Sequence, residues 1–274
     1  MAVCVRLSLE WGKMVLQQED AFSERRVQRY LERIGVFEEL EVNYDSLLMI
    51  QAQHMLTVPF ENLNIVDKKP IELDFYALYE KIVVKRRGGY CYELNGLLAW
   101  CLKQLGFEVT VLSGRVRRED GSFGPEFDHM VLMVHLDKDY VVDVGFGDSA
   151  RRPLPLSGDI MTDVSGQYRI TSDTDSQLLL FQKKLNNDWV NQFCFTRTPR
   201  QMDDFQEMNV FQQTSPASFF TKGLIVSLAT RDGRVTISRD TFIETKGTDK
   251  KTRPILSDDE RNELLKCYFN IEVV

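Results

Sequence analysis

A cysteine works as a nucleophile only where its surroundings draw off its proton, so the five cysteines of this 274-residue chain are separated first by setting. Cys91 lies in the segment Arg87-Gly88-Gly89-Tyr90-Cys91-Tyr92-Glu93-Leu94-Asn95. Two glycines directly ahead of a helix let the chain turn sharply and approach another surface closely. The spacing then puts Cys91 in the first helical turn, where unpaired N–H groups and the positive helix end favour a thiolate. Cys101 is the contrast. It falls in the apolar stripe Leu94, Leu97, Leu98, Cys101, Leu102 and Leu105, where a small buried hydrophobe is expected. The competing reading of Cys91 is an ordinary buried thiol beside a glycine turn.

Three histidines limit the choice of base. His54 sits inside the helical pattern IQAQHMLTVPF and reads as a packed or surface residue. His135 lies near the turn Asp137-Lys138-Asp139, where solvent exposure is expected. His129 opens the strand HMVLMVHL just after the loop GSFGPEFD, a position from which an imidazole could reach a helix N-terminus. Its competing reading is a satisfied structural histidine. Asp143 interrupts the apolar run YVVDVGFG, and a buried carboxylate needs a partner. An imidazolium is one candidate; the backbone amides of the following glycine turn are the other. The order Cys, His, Asp, with the cysteine on a helix and the other two on strands, resembles papain-like and transglutaminase-like cores. One geometric objection stands against it. A tight hairpin centred on Asp137-Lys138 pairs Asp143 with Leu132, leaving His129 three residues away, on the order of 10 Å along the strand. A bulge or twist would have to close that gap.

Other uses of these residue types are poorly supported. No close Cys or His pair with zinc spacing occurs, so no metal site is expected. There is no Walker A motif, and Gly145-Phe146-Gly147 is too short to be a phosphate loop by itself.

The elements that must position these residues fall in three groups. DAFSERRVQRYLERIG places Phe22, Val27, Tyr30, Leu31 and Ile34 at helical spacing and closes at Gly35. A second helix starts at Asp45 as cap and runs toward Pro59. A third follows Asp74, and the fourth begins near Tyr90 and ends at Gly106. The period then changes to two: VTVLSGRV, HMVLMVHL, YVVDV, QYRI, LLLFQKK and WVNQFCF read as strands. TPRQMDDFQEMNVFQQTS reads as a linking helix. FFTKGLIVSLAT and RVTISRDTFIET flank the hairpin signal Arg231-Asp232-Gly233. Ser257 and Glu260 stand at capping-box spacing ahead of a last helix. The order is helices, then an antiparallel sheet or barrel, then a small mixed unit.

Composition is that of a globular protein, 43% hydrophobic and 27% charged. A formal charge of −7 suits solubility and not a phosphate backbone. Lys85, Arg86 and Arg87 form the single basic triplet, without an RNA-binding motif around it, so no nucleic-acid partner is expected. An odd number of unclustered cysteines and the lack of glycosylation sequons fit a reducing, cytoplasmic setting. No run approaches the roughly 18 apolar residues of a membrane span, so no membrane partner is expected.

Five segments, in their order and spacing, resemble the arylamine N-acetyltransferase family: YLERIG (30–35), VPFENL (58–63), RGGYCYELN (87–95), the strand opened by His129, and VDVGFG (142–147). The similarity is sharp over about residues 28–156. It implies an α+β chain in three parts: a helical bundle over 1–106 carrying Cys91, an antiparallel β-barrel with a linking helix over 107–212 carrying His129 and Asp143, and an α/β lid over 213–274. It implies a Cys91–His129–Asp143 triad, acetyl-coenzyme A as co-substrate, small aromatic amines or hydrazines as acceptors, and a monomer or weak homodimer. Glu61 and Arg87 resemble an ion pair of the family that braces the nucleophile's loop, and Asn95 belongs to the same signature. Phe146, held between Gly145 and Gly147, aligns with an aromatic residue beside the acceptor pocket. About 25 residues precede the usual start near Tyr30 and carry no assigned role. Two rival activities use the same triad: an acyltransferase closing an amide in a larger natural product, and a papain-like hydrolase or transglutaminase.

Overall fold

The computed structural model describes residues 23–173, 177–247 and 249–272. The N-terminal segment ahead of residue 23, with Cys4 and the Phe22 end of the first helical pattern, lies outside the described residues.

Four helical segments build the first layer. Helix α1 (23–34) buries Val27, Tyr30, Leu31 and Ile34, the stripe its sequence predicts. Helix α2 (Tyr44–Thr57) starts two residues earlier than a cap at Asp45 would place it. Its cap is Asn43, whose side-chain oxygen accepts from the Ser46 N–H at 2.9 Å. After the two-residue strand β1 (Phe60–Glu61) and the single turn α3 (Leu63–Val66), Asp74 caps α4 (Phe75–Tyr79) by accepting from the N–H groups of Tyr76 and Ala77. A π-helical turn, Glu80–Val84, extends α4. Helix α5 (Cys91–Gln104) then buries Leu94, Leu97, Leu98, Cys101 and Leu102.

Eight strands follow in one antiparallel sheet: β2 (Glu108–Val116), β3 (His129–His135), β4 (Asp139–Val142), β5 (Leu154–Pro155), β6 (Met161–Asp163), β7 (Gly166–Ser172), β8 (Leu179–Leu185) and β9 (Asp188–Phe195). Their spatial order is β5-β4-β3-β2-β9-β8-β7-β6. The sheet rolls into a nearly closed barrel. Its ends meet where the Arg151 N–H, just ahead of β5, donates to Asp163 of β6 at 2.6 Å. Phe181, Phe193, Phe195 and Tyr168 fill the inside.

Strand β3 is buried on both faces and so reads as an unbroken apolar run. Met130, Leu132 and Val134 pack on the helices, while Val131 and Met133 face the barrel interior. His129 therefore stands at the seam between two cores.

A 3-10 turn (Met202–Phe205) leads into α6 (Gln206–Thr214), and another (Phe220–Lys222) leads into β10 (Ile225–Thr230), β11 (Gly233–Ser238), β12 (Thr241–Lys246) and β13 (Asp249–Pro254). RVTISRDTFIET is thus two strands broken at Arg239-Asp240, not one. Strand β13, DKKTRP, escapes a hydrophobic pattern search because all six residues are exposed on the sheet edge. The far edge of this sheet is β1, which reaches across from the helical layer to pair with β10. Helix α7 (Asp258–Phe269) covers one face with Leu264, Leu265 and Phe269. Ser257 Oγ caps it by accepting from the Glu260 N–H at 3.1 Å; the Glu260 carboxylate accepts from Leu256 rather than Ser257, so the expected box is displaced by one residue.

Candidate active site

Cys91 is the first residue of α5, 3% exposed. The loop that delivers it is stitched to β1. Glu61 donates its N–H to the Gly89 carbonyl at 2.8 Å, and Gly89 returns one to Pro59 at 3.3 Å. The approach is so close that a Cβ on Gly88 would stand 1.9 Å from the Pro59 oxygen, which explains why glycine is required there. Glu61, with a fully buried side chain, takes the Arg87 guanidinium at 2.8 Å on Oε1 and the Leu63 N–H at 2.7 Å on Oε2. Lys81 bridges to Glu93 at 2.7 Å, and Glu93 Oε2 accepts from the Tyr90 N–H at 3.1 Å. Paired charges thus hold both the approach to α5 and its first turn. The pair Glu61–Arg87 comes together; Lys81 and Glu93 went unread because neither stands out from ordinary helix-surface charge.

His129 and Asp143 meet directly, Nε2 to Oδ2 at 2.9 Å, both 2% exposed. The hairpin objection dissolves on a register shift of one. Leu132 pairs with Val142 and His135 with Asp139, so the connection has three residues instead of two. Continued one step past the ladder, Asp143 falls opposite Val131, two residues from His129 and on the same side of the sheet. A one-residue slip flips every side chain to the other face, so the register decides whether the pair can form.

Both proposed partners of Asp143 turn out to be present. Oδ2 takes His129, while Oδ1 takes the Gly145 N–H at 2.8 Å and Asn95 Nδ2 at 2.9 Å. Asn95 also donates to the Met130 carbonyl at 2.7 Å and accepts from the Val144 N–H at 3.0 Å. One amide on α5 therefore fixes β3 and the loop after β4 relative to Cys91 one turn away. Gln51 of α2 adds a bond to the Ala150 carbonyl at 2.9 Å, bracing the same loop. Sequence reasoning passed over Gln51; its only signal was a polar residue on the buried side of α2.

The glycines of this loop admit its close approach. A Cβ on Gly145 would lie 2.7 Å from Cys91 Cα. Phe146 stands edge-on to the His129 ring, centroids 5.1 Å apart, and rests on Phe193. Cys91, His129, Gly145 and Phe146 line one cavity of about 530 Å³, closed by Phe60, Phe211, Phe219 and Phe220. Gly147 completes the turn with φ +79° and lies beside Phe60 instead of on the cavity wall.

Burial pushes the Cys91 thiol well up, and the Asp143 and Asp128 carboxylates add to this; the backbone amides of Met130 and Tyr92 oppose it. Burial thus works against the thiolate that the helix end favours. An imidazole, that of His129, lines the same cavity. Its Nε2 is committed to Asp143, which leaves Nδ1 for the thiol.

The other two histidines are elsewhere. His54 is fully buried against Tyr30. His135 is not exposed as expected but half-buried, held by Asp139 and Thr110. Among the described residues, no helix is long and apolar enough to cross a membrane, and no group of acidic, Cys or His side chains could hold a metal ion.

Residues 43–274 match the family model described as N-acetyltransferase. The chain is 33% identical to human arylamine N-acetyltransferase 1 over 90% of its own length and 94% of that protein. It is 39% identical to the arylamine N-acetyltransferase of Mycolicibacterium smegmatis over 75% of this chain and 77% of that one. The solved structure of Mycobacterium marinum arylamine N-acetyltransferase in complex with CoA superimposes with a TM-score of 0.83, at 29% identity, covering 89% of this chain and 92% of that one. With a cysteine, histidine and aspartate gathered where three layers meet, and with matches spanning nearly the whole chain, this protein is an enzyme of the arylamine N-acetyltransferase family.

Proposed function

We propose that the enzyme moves an acetyl group from acetyl-coenzyme A to the nitrogen of small aromatic amines or hydrazines, through acetyl-Cys91. The observation that supports this most directly is the shared cavity: a buried cysteine, an imidazole tied to a carboxylate that accepts three hydrogen bonds, and aromatic walls. Acetyl-coenzyme A is the second substrate and supplies an activated thioester carbonyl. Cys91 Sγ gives its proton to His129 Nδ1 and attacks that carbonyl, and coenzyme A departs as a thiol, taking that proton from His129. Cys91 is the first residue of α5, so the free amides of that helix end are the donors for the charge that develops on oxygen. His129 next accepts the proton of the amine as its nitrogen attacks the acetyl-cysteine. Asp143 holds the ring in the tautomer that leaves Nδ1 free and stabilises the imidazolium that forms within each half-reaction. Phe146, between Gly145 and Gly147, is the aromatic wall for the acceptor ring. The phenylalanine-lined mouth favours acetyl transfer to an amine over loss to water, which disfavours a hydrolase.

Mixing the protein with acetyl-coenzyme A and no acceptor should add one acetyl group, about 42 Da, to Cys91 with a stoichiometric burst of coenzyme A. Addition of 4-methoxyaniline should then discharge it. Steady-state lines at several donor concentrations should be parallel. Intersecting lines without a burst would favour direct transfer in a ternary complex.

A further inference from the structure

The active-site cavity holds a second carboxylate that the triad does not use. Among the described residues, Asp128, immediately before His129, is the sole acidic side chain lining it, and Arg118, exposed at the rim, is the one Lys or Arg there. The contrast with Asp143 is informative. Asp143 accepts three hydrogen bonds, from His129, Asn95 and Gly145. Asp128 takes one side-chain donor, Gln212 Nε2 on Oδ1 at 3.0 Å. That donor is fixed in orientation: Ser218 Oγ donates to Gln212 Oε1 at 2.5 Å, so the amide nitrogen must face the carboxylate. The Phe220 N–H in turn donates to Ser218 Oγ at 3.1 Å. A chain of hydrogen bonds from α6 and the following turn thus holds Asp128 in the wall of an otherwise aromatic cavity, with acceptor capacity left over. Burial pushes this carboxyl up, while the Val116 amide, His129, Arg118 and Gln212 work to keep it ionised.

We propose that Asp128 determines acceptor specificity, taking a hydrogen bond from an N–H or O–H carried by the acceptor ring and excluding rings that carry a carboxylate. The inference rests on the acetyl-transfer reading above and refines its substrate class to arylamines or hydrazines with a neutral or cationic donor substituent. The physical reason is that an acceptor carboxylate would bring a second negative charge into a cavity where Asp128 is already poorly solvated. A neutral amide of the same shape would instead satisfy its free lone pairs.

The test is the ratio of kcat/KM for 4-aminobenzamide to that for 4-aminobenzoate at saturating acetyl-coenzyme A. In a ping-pong enzyme each value reports only the second half-reaction, so differences in acylation cancel. Wild type should prefer the amide by about tenfold or more, the worth of one hydrogen bond to a charged group. Asp128→Asn should bring the ratio to within about threefold of one. Asp128→Ser, made alongside, serves if the amide variant does not fold. A wild-type ratio near one, preference for the benzoate through Arg118, or a full wild-type ratio in either variant would overturn the proposal. Failure of wild-type acetyl-Cys91 to discharge to any arylamine, 4-methoxyaniline included, would overturn the underlying function reading instead.

Discussion

Helix α5 carries two buried cysteines, and each lies near a buried histidine. At its N-terminus Cys91 shares a cavity with His129, whose other nitrogen is bound to Asp143. Three turns further, Cys101 lies in the helical core facing Tyr30, and the Tyr30 hydroxyl is bonded to His54 Nδ1 at 2.6 Å. Burial pushes both thiols up. The histidines part company. Burial, with the nearby Arg33 guanidinium, pushes His54 down to about 3, and its Nε2 has no hydrogen-bond partner among the described residues. That imidazole stays neutral and cannot hold a cysteine's proton. Residue types are nearly duplicated in the two places; what differs is a carboxylate behind the imidazole and a cavity in front of the sulfur.

The comparison breaks first on the nucleophiles. Cys91→Ala should abolish the acetyl adduct and lower turnover about a thousandfold or more, with the fold retained by circular dichroism. An adduct surviving in that variant would transfer the role to another thiol. Next comes the carboxylate. Asp143→Asn keeps the size but loses the charge and admits the wrong tautomer, so the acylation rate should fall by about 10² to 10⁴ in single-turnover mixing. If it acylates like wild type, Asp143 serves only the fold. For the other histidine the expected effect is on stability. Between the ordinary imidazole value of about 6.5 and about 3 the unfolded chain binds a proton that folded His54 refuses. Stability conferred by neutral His54 is complete above that window and declines as pH falls through it, by up to roughly 1.4 kcal/mol per pH unit. Urea midpoints from pH 7 to 5 should show this slope, and His54→Gln should flatten it. The smallest effect belongs to Cys101→Ala: acylation within about twofold of wild type and a loss of about 1 kcal/mol in urea unfolding. Iodoacetamide should also label Cys91 well before Cys101.

Much of the site was legible because its parts sit in local patterns. A glycine pair before an apolar helical stripe marks Cys91, and a carboxylate inside an apolar strand marks Asp143. What could not be read was relational. The three-residue β3–β4 connection, on which the His129–Asp143 contact depends, differs from a two-residue one by a single register step invisible in HMVLMVHLDKDYVVDV. Gln51, Asp128, Gln212 and Ser218 acquire meaning only through partners distant in the chain. In the fold, strands with alternating or continuous apolar residues were found, whereas β13 offered six exposed polar positions to a search that looks for burial. Asn43 outcompeted Asp45 as a cap because helix start depends on backbone geometry as well as side-chain type.

The two-residue strand β1 also has a temporal consequence. Glu61, which secures the Arg87 end of the nucleophile's loop, lies opposite Val226, and Phe60 opposite Ser227. Val226 follows Gln104, the last residue of α5, by 226 − 104 = 122 positions of chain. At about 5–20 residues per second a ribosome spends roughly 6 to 24 s on that interval. Throughout it the cysteine-bearing helix exists, but the sheet edge that clamps its approach does not. The nascent chain therefore carries Cys91 on its helix well before the strand pairing that clamps the approach to it, which arrives late, with the C-terminal sheet.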